Sequence, residues 1–135
     1  MSVKFEITGL KDVQRNFNRY LNEINGVLDS DLDAVAFDLL QKAVDRAPIE
    51  DGDLRESGQV VRQKKVRIVS FSVFKNGFDY AIKQHEDLTL RHSGPEHGNV
   101  DGGEAKYLER PFQENAEKYI ARIKANVLRR TAKYQ

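Results

Sequence analysis

Apolar and polar residues alternate at the start of the chain: Val3, Phe5 and Ile7 are separated by Lys4 and Glu6. That period of two predicts a short half-buried strand over 3–7, closed by Thr8 and Gly9. From Leu10 the period changes, with Leu10, Val13, Phe17, Leu21 and Ile24 at spacings of three and four and charged residues on the other side. This is the signature of an amphipathic helix. Asn25-Gly26 predicts a break, because both residues are poor helix formers and both tolerate the left-handed conformation that ends helices. The pattern then resumes in a new register through Leu28, Leu32, Val35, Ala36, Leu39, Leu40, Ala43 and Ala47. Two helices are expected in preference to one bent helix, the second carrying Asp29, Ser30 and Asp31 in its first turn as caps.

Pro48 has no backbone N–H and disfavours the helical conformation at Ala47, so this helix should stop there. Gly52, set among Glu50, Asp51 and Asp53, offers a position free to take positive φ in the turn that follows. Strands are then predicted over 57–64 and 66–74, the second rich in β-branched and aromatic residues. Asn76-Gly77 marks a two-residue hairpin, and its return strand is expected over 78–84. Residues 86–104 have no apolar period and carry five acids against one arginine. A loop of that length inside a small domain is uncommon unless it serves a function or is disordered. A final helix is expected on the stripe Leu108, Phe112, Ala116, Tyr119, Ile120, Ile123 and Val127, with Pro111 in its first turn.

These elements describe one α+β domain over 1–135. A small, mainly antiparallel sheet with a hairpin packs against two or three helices on one face. Leu54, Phe71, Phe74, Tyr80 and Phe112 are the expected core. Length allows one hydrophobic core, and hydrophobic residues at 39% with charged residues at 32% suit a polar globular domain. The formal charge of +1 supplies no global attraction to nucleic acid or membrane. The absence of cysteine removes disulfides and thiolate chemistry, and no uncharged apolar run approaches membrane-spanning length.

Candidate chemistry is sparse. His85, Glu86, His92 and His97 invite a metal reading, but His85 and His92 stand seven apart with Gly94 and Pro95 close behind, which is not the i, i+4 spacing of a helical zinc pair. Asp51 with Asp53 and Glu86 with Asp87 read as turn acids in preference to a catalytic pair. No catalytic residue, metal ligand or cofactor is expected. Basic residues at Lys64, Lys65 and Arg67, and again at Arg129 and Arg130 in a last helix with a local excess of five positive charges over 117–135, give an alternative as a small nucleic-acid-binding module. The other use of a basic surface beside an acidic loop is self-assembly, in which one copy's patch meets the next copy's loop.

The ordered residues resemble a family, the tail-completion and head-tail joining proteins of long-tailed bacteriophages, also labelled minor capsid or tail-component proteins. Thr8-Gly9-Leu10 matches its opening. Ala47-Pro48-Ile49, Gly52, Leu54, Arg55 and Ser57 resemble its Ala-Pro-Val-Asp-Thr-Gly-x-Leu-Arg-x-Ser signature, with Asp51 standing where threonine is usual. Tyr80-Ala81, Gln84-His85-Glu86, Lys106-Tyr107-Leu108 and Pro111-Phe112 follow in order. The resemblance implies a structural virion protein made in the host cytoplasm. It would form a ring, a hexamer, that joins the tail tube to the head connector, with DNA passing through the lumen unread, no membrane and no catalysis. Contacts between subunits or with partners are then expected at the turn, through Pro48, Asp51, Gly52, Asp53 and Arg55, and at the loop, through His85, Glu86, Asp87, Arg91, His92 and Glu96.

Overall fold

The first strand forms as the alternation predicts. In a computed structural model, which describes residues 1–6, 21–49, 52–88 and 103–132, β1 (Ser2–Glu6) turns Val3 and Phe5 inward and leaves Ser2, Lys4 and Glu6 exposed. It pairs antiparallel with β3 (Val66–Ser70), from Ser2 opposite Ser70 to Glu6 opposite Val66. On the other side of β3 lies β2 (Gln59–Gln63), also antiparallel, from Gln59 opposite Ser70 to Gln63 opposite Val66. The order β1-β3-β2 puts the most apolar strand in the middle. Lys64 turns the β2–β3 corner at φ 52°, the left-handed value that a two-residue hairpin demands.

The long helix α1 (Leu21–Arg46) covers this sheet and runs without interruption through Asn25 and Gly26, so the expected break is corrected. One glycine costs a helix only about 1 kcal/mol. Burial of Ile24 and Leu28 on either side, each 5% exposed, outweighs that cost. Asp29, Ser30 and Asp31 accordingly sit within the helix and cap nothing. The predicted stripe from Leu28 to Ala47 is the core face, and the helix ends at Arg46, just ahead of Pro48. The amphipathic segment beginning at Leu10 lies mostly outside the described residues.

A one-turn helix, α2 (Asp53–Glu56), buries Leu54 before the sheet begins. After β3 the chain leaves the sheet, so the strand expected over 66–74 stops at Ser70. Phe74–Lys75 (β4) and Phe78–Asp79 (β5) instead form a separate two-stranded hairpin. Asn76 and Gly77 both take positive φ there, 54° and 84°, as the turn requires. The expected return strand over 78–84 is also corrected, because the chain enters the helix α3 (Tyr80–Glu86) after only two strand residues. Asp79 is the cause: its Oδ1 accepts from the N–H of Ala81 at 2.9 Å, a capping bond that starts a helix.

The last helix, α4 (Glu109–Thr131), lies antiparallel to α1, with Glu114 bound to Arg46, Tyr119 to Asp38 and Asn126 to Asp31. Phe5 links sheet to helix through edge-to-face contacts with Phe112 at 5.6 Å and Tyr119 at 6.2 Å. Leu54 and Phe71 are fully buried as expected, and Tyr80 and Phe112 pack partly buried against the core. Phe74 is a correction: it sits on the outlying hairpin, 74% exposed. Ile120, assigned to the inner stripe, is 54% exposed.

Candidate functional site

The stretch from Ala47 to Ser57 is a joint between helix and sheet, and its residues divide the work by chemistry. Ala47 and Pro48 are fully buried under the end of α1, where the last helical carbonyls have no partner within the helix. Arg55 supplies two of the missing donors, from Nε to Ala47 O at 2.8 Å and from Nη2 to Asp45 O at 3.1 Å. Its positive charge also suits the negative end of the helix dipole. The third donor comes from a distant part of the chain, the N–H of Glu104 to Arg46 O at 2.7 Å. Gly52 makes the turn between them at φ 84°, and Ser57 Oγ donates to Leu54 O at 2.7 Å to close α2.

Gly103 permits that third bond. It takes φ 80° against the backbone of the joint, where a Cβ would stand 2.6 Å from Pro48 N and 2.7 Å from the carbonyl of Ala47. Only glycine allows two backbones to approach so closely.

The segments on either side of residues 89–102 are tied together beside this joint. The N–H of Lys106 donates to His85 O at 2.8 Å, and the Lys106 ammonium bridges the carboxylates of Glu86 and Glu109. His85 is buried. Its Nε2 accepts from the N–H of Glu109 at 3.2 Å, at the start of α4, and its Nδ1 lies 2.9 Å from Glu86. An Nε2 that accepts leaves the proton on Nδ1, so the ring is neutral. Burial pushes its pKa below the ordinary value, against the opposing pull of Glu86. Donation from Lys106, then from His85, holds Glu86 below the usual carboxylate range. Tyr107 fills the space beneath, its hydroxyl donating to Ala81 O at 2.9 Å and its ring meeting Phe71 and His85 edge-on.

Of the residues expected at contacts, Gly52, Asp53 and Arg55 lie at the joint, and Glu86 and Asp87 lie at the end of α3, where Glu86 meets Lys106. Pro48 and His85 are there too, but buried. Asp51, Arg91, His92 and Glu96 lie outside the described residues, as does His97 of the metal reading. The basic run does not form one surface. Arg67 is 3% exposed, with Nε 2.6 Å from Asp33 Oδ1. Lys65 reaches Asp29 at 2.6 Å, and Arg62 reaches Asp33 at 2.8 Å. Asp29 sits below its ordinary pKa chiefly through the hydrogen bond from Lys65. These three bases clamp the β2–β3 hairpin to α1. Arg129 and Arg130 remain exposed at the far end of α4.

The arrangement is an α+β domain with a braced joint at the end of a helix pair. Residues 11–85 match the family described as Bacteriophage HK97-gp10, putative tail-component. The match spans more than half of the chain, and the chain belongs to that family, a bacteriophage tail component. No curated protein and no solved structure matches it. Among the described residues no helix is long and apolar enough to cross a membrane.

Sequence reasoning overlooked Arg55 as the helix cap, Gly103 as the close approach and His85 as the start of α4. An arginine shortly after a helix end hints at the first. The other two depend on contacts across the fold.

Proposed function

We propose that this tail component is a structural tail-completion subunit, without catalytic activity. It assembles as a ring, hexameric on the virion, between the tail tube and the head connector, and DNA passes through its lumen without being read. Family membership over residues 11–85 carries the reading. The braced joint supports it, because a turn whose Arg55 holds two carbonyls at the end of α1 presents Gly52 and Asp53 in a fixed geometry. In this reading the turn through Asp51 and Asp53 and the loop bearing Glu86, Asp87, Arg91, His92 and Glu96 contact the neighbouring virion proteins, once the subunit made in the host cytoplasm joins the particle. The nucleic-acid alternative is weakened by Arg67 and Lys65, whose charges are spent on α1.

The test is a phage carrying a stop codon early in this gene. Electron microscopy of the lysate should show filled heads and separate tails, with joined particles restored by the gene in trans. Normal virions from the stop mutant would refute the proposal.

A further inference from the structure

The cations that the fold leaves without partners gather in one place. Among the described residues up to Arg110, every lysine and arginine except Lys64 has a carboxylate, carbonyl or aromatic ring as its partner. Over 117–132 the balance reverses. Lys118, Arg122, Lys124 and Arg130 have no hydrogen bond or ion pair among the described residues, and Arg129 donates only to the neutral Asn126, at 3.0 Å. Arg122 feels Asp38 through space, but Lys42 and Tyr119 already hold that carboxylate. Asp31 is buried between the helices, where it accepts twice from Asn126. Five bases against Glu117 and Asp31 leave this half of α4 an excess of three positive charges.

The five bases are all exposed, and three of them form a line. At 3.6 residues per turn Lys118, Arg122 and Arg129 fall within about 40° of arc and span roughly 16 Å of helix. A DNA duplex presents about ten phosphates over that length, so the line finds anions in any register. Beside the line lie only Ala121 and Ala125. The exposed Leu128 and Ile120 stand about 100° and 180° further round the helix. A protein partner is held chiefly through an apolar centre, which this line lacks. Phosphate needs only unpaired cations, and it carries no sequence information.

We propose that the C-terminal half of α4 is the DNA-facing surface of the subunit, a phosphate track of Lys118, Arg122 and Arg129 with Lys124 and Arg130 beside it. The inference rests on the ring reading and specifies which face of the subunit turns to the lumen. Contact with backbone alone lets DNA slide past unread.

Titration of the full chain into two labelled 20-base-pair duplexes of unrelated sequence, followed by fluorescence anisotropy over 50–200 mM salt, provides the first test. Both duplexes should bind equally, and about four neutralised phosphates give a slope of about −3.6 in log affinity against log salt. Replacing Lys118, Arg122 and Arg129 together by glutamine should bring the slope to about −1 and weaken binding at least about tenfold at 50 mM, with circular dichroism unchanged. Lys64→Gln, at an unpaired cation far along the chain, should leave the slope as it is. If the parent's slope is shallower than about −1, if the triple variant keeps the parent's slope, or if Lys64→Gln lowers it as much, the track is refuted and the ring reading is untouched. The track is also refuted if poly-glutamate at equal charge concentration displaces the duplex as well as unlabelled duplex does, since the surface then serves an acidic protein. In virions, a photo-crosslinking residue in place of Ala125 should capture DNA, and one in place of Ile120, on the other side of the helix, should not. Capture at both or at neither overturns the placement. If the chain is absent from virions, the ring reading falls whatever the titration gives, and the lumen placement falls with it.

Discussion

Gly103→Ala tests whether the loop end seals the joint, and Gly52→Ala is its internal control. Both glycines have nearly the same φ, 80° and 84°, so both variants incur the left-handed penalty of about 1–2 kcal/mol and both lose similar flexibility in the unfolded chain. They differ in surroundings. A Cβ at Gly52 meets nothing within 4 Å, whereas one at Gly103 meets three backbone atoms of Ala47 and Pro48 at 2.6–2.7 Å. Backbone cannot rotate aside, so the segment must move and the bond from Glu104 N–H to Arg46 O is lost, at a further cost of about 1 kcal/mol. Gly103→Ala should therefore cost about 2–4 kcal/mol and Gly52→Ala about 1 kcal/mol. For a chain of this length that corresponds to Tm reductions of roughly 10 °C and roughly 4 °C. Urea unfolding followed by circular dichroism reads the difference directly. Equal losses for the two variants would refute the close approach.

Removing the helix cap with Arg55→Met should cost about 2 kcal/mol in the same urea assay, since two carbonyls lose a charged donor, and Arg55→Lys should recover only part because an ammonium cannot reproduce the fork. Arg67→Ala leaves Asp33 held by Arg62 alone and should cost about 1.5–3 kcal/mol, with a double-mutant cycle on Arg67 and Asp33 giving a coupling above about 1 kcal/mol; additivity would show the pair to be inert. Phe71→Ala should cost about 3–5 kcal/mol and Phe74→Ser less than about 0.5 kcal/mol, and a reversed order would contradict the exposure of the hairpin. His85 has a lowered pKa in the folded state, so the unfolded chain takes up the proton first as pH falls. Its contribution is complete above about 6.5 and is lost as pH drops through the folded value, so unfolding free energy should decline over that window in the parent and more weakly in His85→Gln.

Periodicity and punctuation determined most of the architecture. The alternation of Val3 and Phe5, the stripe from Leu28 to Ala47, the stop at Pro48, positive φ at Gly52 and the Asn76-Gly77 hairpin were all legible, because each follows from local sterics or from a repeat that exposes one face to water. The ordered signature from Ala47 to Ser57 likewise led to the family. What failed depended on competition with the rest of the molecule. Gly26 passes through a helix because Ile24 and Leu28 are buried around it. The return strand became a helix because the Asp79 carboxylate took the N–H of Ala81. Phe74 stayed outside because its hairpin left the sheet.

The candidate site divides in the same way. Its turn could be read along the chain, but its bracing could not. Arg55 finds carbonyls eight and ten residues behind it, Gly103 meets a backbone more than fifty residues away, and His85 receives the N–H of Glu109. Lys65 and Arg67 read as a basic patch until α1 placed Asp29 and Asp33 opposite them. Sequence determines where a chain must turn and which faces avoid water, since those are local properties. Which donor meets which orphaned acceptor, and which charge is already neutralised, are properties of distance, and only the tertiary structure decides them.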